Sequence, residues 1–165
     1  MDKRILDYIN TQRTAVLAVE MLDGSPHAAT VHFAHTEDPL EFFFETDKAY
    51  RKAGPLLQRK QSRASLVIGA DEATMKTLQL DGTVTLTIPE EAGIIDSIYL
   101  GKFPEKINKS KGPNVLFFKF IPIWWRFTDW KAPEGKIILT SEAKWKYEFQ
   151  QQAIGSGIFR AGCIR

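Results

Sequence analysis

A single cysteine, Cys163, occurs among 165 residues, so no disulfide can form within the chain and a reducing compartment suits it. Charge of one sign is also missing: 22 Lys and Arg against 20 Asp and Glu leave a formal +2, with both signs interspersed along the chain. That balance calls for no nucleic-acid partner. No stretch approaches the roughly 18 apolar residues of a membrane span, and the N-terminal MDKRILDYINTQR has neither the apolar run nor the cleavage site of a secretory signal. The expectation is a soluble, cytoplasmic protein with no membrane contact. The three histidines, His27, His32 and His35, fall on opposite faces of a strand and have no cysteine or paired carboxylate beside them. No metal site is expected. Ser141 and Cys163 have no neighbouring base and are not nucleophile candidates.

What is present is apolar and aromatic. With 44% hydrophobic and 12% aromatic residues, the chain suits one compact domain that buries roughly two-thirds of its unfolded surface. Asp2 caps a predicted short helix over residues 2–11, with Ile5, Leu6 and Ile9 on its apolar edge. TAVLAVE, residues 14–20, reads as a strand, and Leu22 to Pro26 as the turn of a hairpin whose returning strand is His27 to Ala34. The Leu40 strand follows, so the first three strands read as an antiparallel meander. RASLVIG, residues 63–69, is a fourth strand, and residues 77–87 a long fifth one with Gly82 marking a bulge or bend. Pro89 opens a helix with Ile94, Ile95, Ile98 and Tyr99 as its stripe; a lysine-bearing loop over residues 102–112 reads as solvated. Val115 to Ile123 and Trp124 to Trp130 are strands bent apart at Pro122, and Ile137 to Thr140 is a short edge strand.

The fold class these elements predict is mainly β with short helices, a six-stranded antiparallel β-barrel, since closure removes exposed strand edges. The barrel domain spans residues 1–141. Residues 142–165, with Trp145, Tyr147 and Phe149, are expected to pack on the barrel or on a partner subunit.

The most informative stretch is LEFFFETDKAYRKAGPLLQRK, residues 40–60. Leu40, Phe42 and Phe44 give the two-residue period of a strand ending at Thr46. Thr46 and Asp47 are good helix caps, and Lys48, Arg51 and Lys52 would stand in the first turns of the helix they open, which Gly54-Pro55 would kink or split. Cations oppose the macrodipole there unless an anion sits between them. A phosphate would supply it; the alternative is a set of solvated surface cations.

PHAATVHF, then EFFFETDKAYRKAGPLLQRKQSRASLVI, then LQLDGTVTL resemble the flavin-binding split-barrel family typified by pyridoxamine 5′-phosphate oxidase, over roughly residues 5–130. Phe44-Glu45-Thr46 and Tyr50-Arg51-Lys52 fall at the spacing at which that family ends its third strand and holds the FMN phosphate. The resemblance implies a split barrel, FMN as cofactor, and cofactor contacts from Ala29, Thr30, Val31, His32, Glu45, Thr46, Arg51, Lys52 and Thr77. It also implies a homodimer with cofactor sites at the interface. Some departures touch the cofactor side: His27 and His32 stand where the oxidase has an arginine and a lysine, Tyr50 replaces the serine before Arg51, and Glu45 puts a negative charge near the phosphate. Others touch the substrate side, where Arg126-Phe127-Thr128-Asp129-Trp130 stands in place of Arg-Leu-His-Asp-Arg. Oxidation of pyridoxamine phosphate is therefore not expected. Two functions follow from the resemblance: an FMN-dependent oxidoreductase acting on an unidentified small molecule, or a non-catalytic module that binds or senses flavin or haem.

Overall fold

The computed structural model describes residues 1–69, 72–110 and 112–141. The expectation for residues 142–165 lies outside the described residues. Helix α1 (Lys3–Thr11) is capped by Asp2, whose carboxylate accepts from the Arg4 N–H at 2.9 Å, and it lays Ile5, Tyr8 and Ile9 into the core. The strands are β1 (Thr14–Glu20), β2 (Pro26–His32), β3 (Ala34–Glu37), β4 (Leu40–Asp47), β5 (Ser62–Ile68), β6 (Lys76–Leu86), β7 (Val115–Asp129) and β8 (Ile137–Thr140), with α2 (Ala53–Gln58) between β4 and β5. They form one antiparallel, curled sheet in the order β2-β1-β5-β6-β7-β4-β3, with β8 on the end of β7. The architecture is a split barrel of eight strands rather than six. Among the described residues no helix is long and apolar enough to cross a membrane.

The expected strands change in two ways: one is broken and two are fused. The returning strand does not run on to Ala34: it ends at His32, and its continuation pairs with β4 instead of β1. Phe33 is the hinge. Its N–H donates to the Arg13 carbonyl at 3.2 Å, and its ring, fully buried, drops into the core against Phe42. The expected meander is thereby cut, and the two ends of the hydrogen-bonded sheet, β2 and β3, are joined through this one residue. Residues 115–129 form one strand, not two, because the irregularity at Pro122 is absorbed as a bulge opposite Asp81 and Gly82.

Strand β4 is buried on both faces. Phe42 and Phe44 enter the barrel core with Phe118 and Phe120, while Phe43 faces a second cluster of Ala34, Ile95, Tyr99, Leu100 and Phe103. The cover on that second face is a run of short helical turns over residues 89–110. A strand covered on both sides reads as an unbroken apolar run, which accounts for three consecutive phenylalanines. At about 1.5–3 kcal/mol for each buried aromatic side chain, both covers matter. Ionic contacts pin the run of turns: Lys119 pairs with Glu91 and Glu41, and the Lys102 ammonium donates to the Gln12 carbonyl at 2.6 Å.

His35, on β3, stacks on Phe42 with ring centroids 6.0 Å apart, and its Nε2 is buried with no hydrogen-bond partner. Burial first, then the Lys102 charge, lowers its pKa below the ordinary 6.5, against an opposing pull from Glu37. A histidine depressed in the folded state adds stability that is complete above its unfolded pKa and is lost as pH falls below it. Urea unfolding is therefore expected to show lower stability at pH 5.5 than at pH 7.5, and His35→Phe is expected to reduce that difference. An unchanged pH slope in the variant contradicts the assignment.

Gly82 is required by contact. A Cβ there would lie 2.1 Å from the Ile121 carbonyl oxygen, a backbone atom that cannot step aside. Gly82→Ala is expected to cost about 2–4 kcal/mol in denaturant unfolding; a midpoint unchanged from the parent would refute the close approach.

Candidate functional site

Thr46 and Asp47 do not open a helix. Strand β4 runs to Asp47, whose carboxylate accepts from the Ala49 N–H at 2.8 Å, and the Tyr50 and Ala53 N–H groups close two successive tight turns. An Asp side chain satisfies such a turn as readily as a helix start. Helix α2 begins only at Ala53, so Gly54 and Pro55 lie in its first turn, where proline is tolerated, and no kink results. The consequence for the cations is uneven. Lys48 and Arg51 are exposed, while Lys52 is carried inward to 7% exposure.

Lys52 enters a cleft of about 170 Å³ lined by Thr30, Val31 and His32 of β2, Glu45, Thr46 and Asp47 of β4, and Tyr50, Lys106 and Val115. Its ammonium lies 4.9 Å from the centre of the Tyr50 ring and has no carboxylate partner among the described residues. Burial alone lowers its pKa. Beside it the Thr46 hydroxyl, on a residue 4% exposed, has no hydrogen-bond partner. A buried donor left without a partner is costly, so the Thr46 hydroxyl, with the Lys52 ammonium in the same cleft, marks a place where a polar ligand fits.

The opposite wall is built by the helical turns. Lys106 donates to Glu45 Oε1 at 2.8 Å and to the Tyr99 hydroxyl at 3.0 Å, and the Ser110 hydroxyl donates to the other Glu45 oxygen. Burial and the Glu45 charge push the Tyr99 phenol upward, so it stays protonated. His32 stands at the rim with its ring 5.3 Å from Phe103, edge to face. Burial, then Lys106 and Arg13, lowers the His32 pKa, so the imidazole is neutral near pH 7.

Six of the nine residues expected at a cofactor site thus line one cleft: Thr30, Val31, His32, Glu45, Thr46 and Lys52. Three do not. Ala29 lies across from Leu17 on the barrel-facing side of β2, Arg51 is exposed on the turn, and Thr77 is on β6, three strands away in the sheet. Lys106 is the residue that the reading of a solvated lysine loop missed. The helical turn ending at Lys102 breaks at Phe103, and the new turn opened by Pro104 brings Lys106 back against Glu45, Tyr99 and the Phe103 ring. Among the described residues no three His, Cys, Asp or Glu side chains stand together as metal ligands.

Residues 1–129 match the family model of pyridoxamine 5′-phosphate oxidase. The chain belongs to the pyridoxamine 5′-phosphate oxidase family. No protein of curated function matches it in sequence. Among solved structures, the heme storage protein HutZ from Vibrio cholerae is 19% identical with a TM-score of 0.62, over 73% of this chain and 89% of that one. A pyridoxamine 5′-phosphate oxidase homologue from Listeria innocua is 21% identical with a TM-score of 0.61, over 76% and 95%. A protein of unknown function from Agrobacterium tumefaciens is 19% identical with a TM-score of 0.61, and its 70% match to this chain spans only 51% of its own length. At these identities the structural likeness establishes the fold shared with this oxidase family.

Burial of the Lys52 side chain penalises its charged form. Because the folded pKa of Lys52 lies below 10.5, the stability it withholds at neutral pH returns only as pH rises toward that value. Lys52→Met is therefore expected to raise the thermal midpoint of the ligand-free protein at pH 7, as read by differential scanning calorimetry; a lowered midpoint would contradict the absence of a partner.

Proposed function

We propose that the cleft holds the phosphate of FMN and that the protein is a flavin-dependent oxidoreductase acting on a small molecule that is not pyridoxamine phosphate. The observation that carries this reading is Lys52, a lysine 7% exposed, without a carboxylate partner among the described residues, beside an unpartnered buried Thr46 hydroxyl. Lysine is a point-charge phosphate ligand, and a hydroxyl can donate to the same oxygen set. Thr30 and His32 on the rim of β2 would meet the polar edge of the ring system. The flavin, when bound, supplies hydride or electron transfer; the chain holds its phosphate, orients its ring along β2 and excludes water.

Ligand sites of this kind enclose about 300–1,000 Å³, more than the 170 Å³ cleft of a single chain offers. The remainder is expected from a second copy. Small side chains on the outer sheet face next to the cleft support a homodimer: Ala28 and Thr30 of β2 stand opposite Ala18 and Val16 of β1, which face Ser65 and Val67 of β5. On that face a flat partner sheet can approach closely. Arg51 and Thr77 would reach cofactor only in such an assembly.

A second reading is a non-catalytic flavin- or haem-binding module. His32, neutral and at the rim of the cleft, favours keeping it open, because a neutral imidazole is what a haem iron takes, and HutZ is by name a heme storage protein.

Titration of the purified protein with FMN, riboflavin and haemin separates these readings. Expected are saturable FMN binding tighter than riboflavin, bleaching of the flavin bands by a nicotinamide donor, and a loss of about 2 kcal/mol, roughly thirtyfold, in FMN affinity on Lys52→Met. Bound flavin that no donor reduces supports the module, a Soret band with haemin alone supports haem, and an unchanged FMN affinity in the variant removes the phosphate assignment.

A further inference from the structure

The cleft is formally neutral as built: Lys52 and Lys106 stand against Glu45 and Asp47, and His32 carries no charge near pH 7. Asp47 is committed to the Ala49 N–H in the turn. The Glu45 carboxylate accepts from Lys106 and Ser110, and Lys106 also donates to Tyr99. An ammonium has three N–H donors. Two of those on Lys106 have partners, and the side chain, 16% exposed, lines the same cleft as Lys52.

We propose that Lys106 is the second cation on the ligand's phosphate, giving it the remaining N–H, and that Glu45 holds Lys106 in place while damping the cleft's affinity for a doubly charged group. This rests on the phosphate reading of the cleft. Tyr99 and Ser110 are positioning residues: Tyr99 fixes Lys106 from behind, and Ser110 fixes Glu45. The helical turns over residues 89–110, which cover Phe43, thus also deliver half of the anion grip. Glu45 falls within the expected cofactor contacts, but its role is then to oppose the phosphate rather than to bind it.

The test compares dissociation constants for FMN and riboflavin in the full-length protein and in Lys106→Met, Glu45→Gln and Lys52→Met, at fixed ionic strength. Lys106→Met is expected to weaken FMN about tenfold and leave riboflavin unchanged, on the scale of one charge-assisted hydrogen bond. Glu45→Gln, which keeps the side chain's shape, is expected to tighten FMN about tenfold by the same principle, again without effect on riboflavin. A gain of affinity cannot come from damaged folding. The proposal is overturned if Lys106→Met leaves FMN binding unchanged or weakens FMN and riboflavin equally, or if Glu45→Gln fails to tighten FMN. Should Lys52→Met still weaken FMN selectively in that case, the phosphate reading stands and only the role of Lys106 falls; should no variant alter the ratio of FMN to riboflavin affinity, both fall.

Discussion

Strand β4 has to be covered on two sides, and much of the molecule follows from that. Phe42 and Phe44 demand the barrel interior; Phe43, between them, demands something outside it. The chain answers with the helical turns after β6, held by Lys119 to Glu91 and Glu41 and by Lys102 to the Gln12 carbonyl. The same strand then runs on through Glu45 and Thr46 to the cleft, with alternate side chains continuing the same two faces. Glu45 shares the outer face with Phe43 and meets Lys106; Thr46 shares the inner face with Phe44. Packing and ligand chemistry are thus two ends of one strand.

The charge arrangement follows from burial. Lys102 and Lys52 both lie where water is scarce: the Lys102 amine, over the Phe33 ring at 4.4 Å, has its pKa pushed down to about 8, and Lys52 is depressed in the same direction. The difference between them is the partner. Lys102 satisfies a backbone carbonyl and fastens a structural element; Lys52 meets the Tyr50 ring and has no carboxylate partner among the described residues. A buried charged group in a cleft is a candidate for ligand binding, which is why Lys52 carries the proposed phosphate site.

Much of this was legible before any coordinates. Alternation marked β1, β5 and β6, Asp2 marked the start of α1, and the glycine in LDGTV marked the bulge, because each of those signals is local. The family resemblance was legible too, and with it most of the residues that line the cleft. Three things were not. The period along residues 27–37 is continuous in sequence, so nothing in it reveals that Phe33 divides two halves with different partners. Thr46 and Asp47 carry the side chains of a helix cap, and Asp47 makes an equivalent hydrogen bond in a turn instead. Lys106 sits among four lysines over residues 102–111, and nothing in that composition reveals the break at Phe103 that turns Lys106 back beside Tyr99.

The break at Phe33 has a mechanical consequence. The cleft's walls belong to β2, at one extremity of the hydrogen-bonded order, and to β4, one strand from the other extremity. No ladder of amide bonds crosses between them. Elsewhere in the barrel, neighbouring strands are kept at fixed spacing by their own backbones; across this seam the gap is set by side chains and the single-residue tether alone. A molecule seated there would act as a rivet, fastening together two margins of the sheet that the polypeptide leaves unstitched.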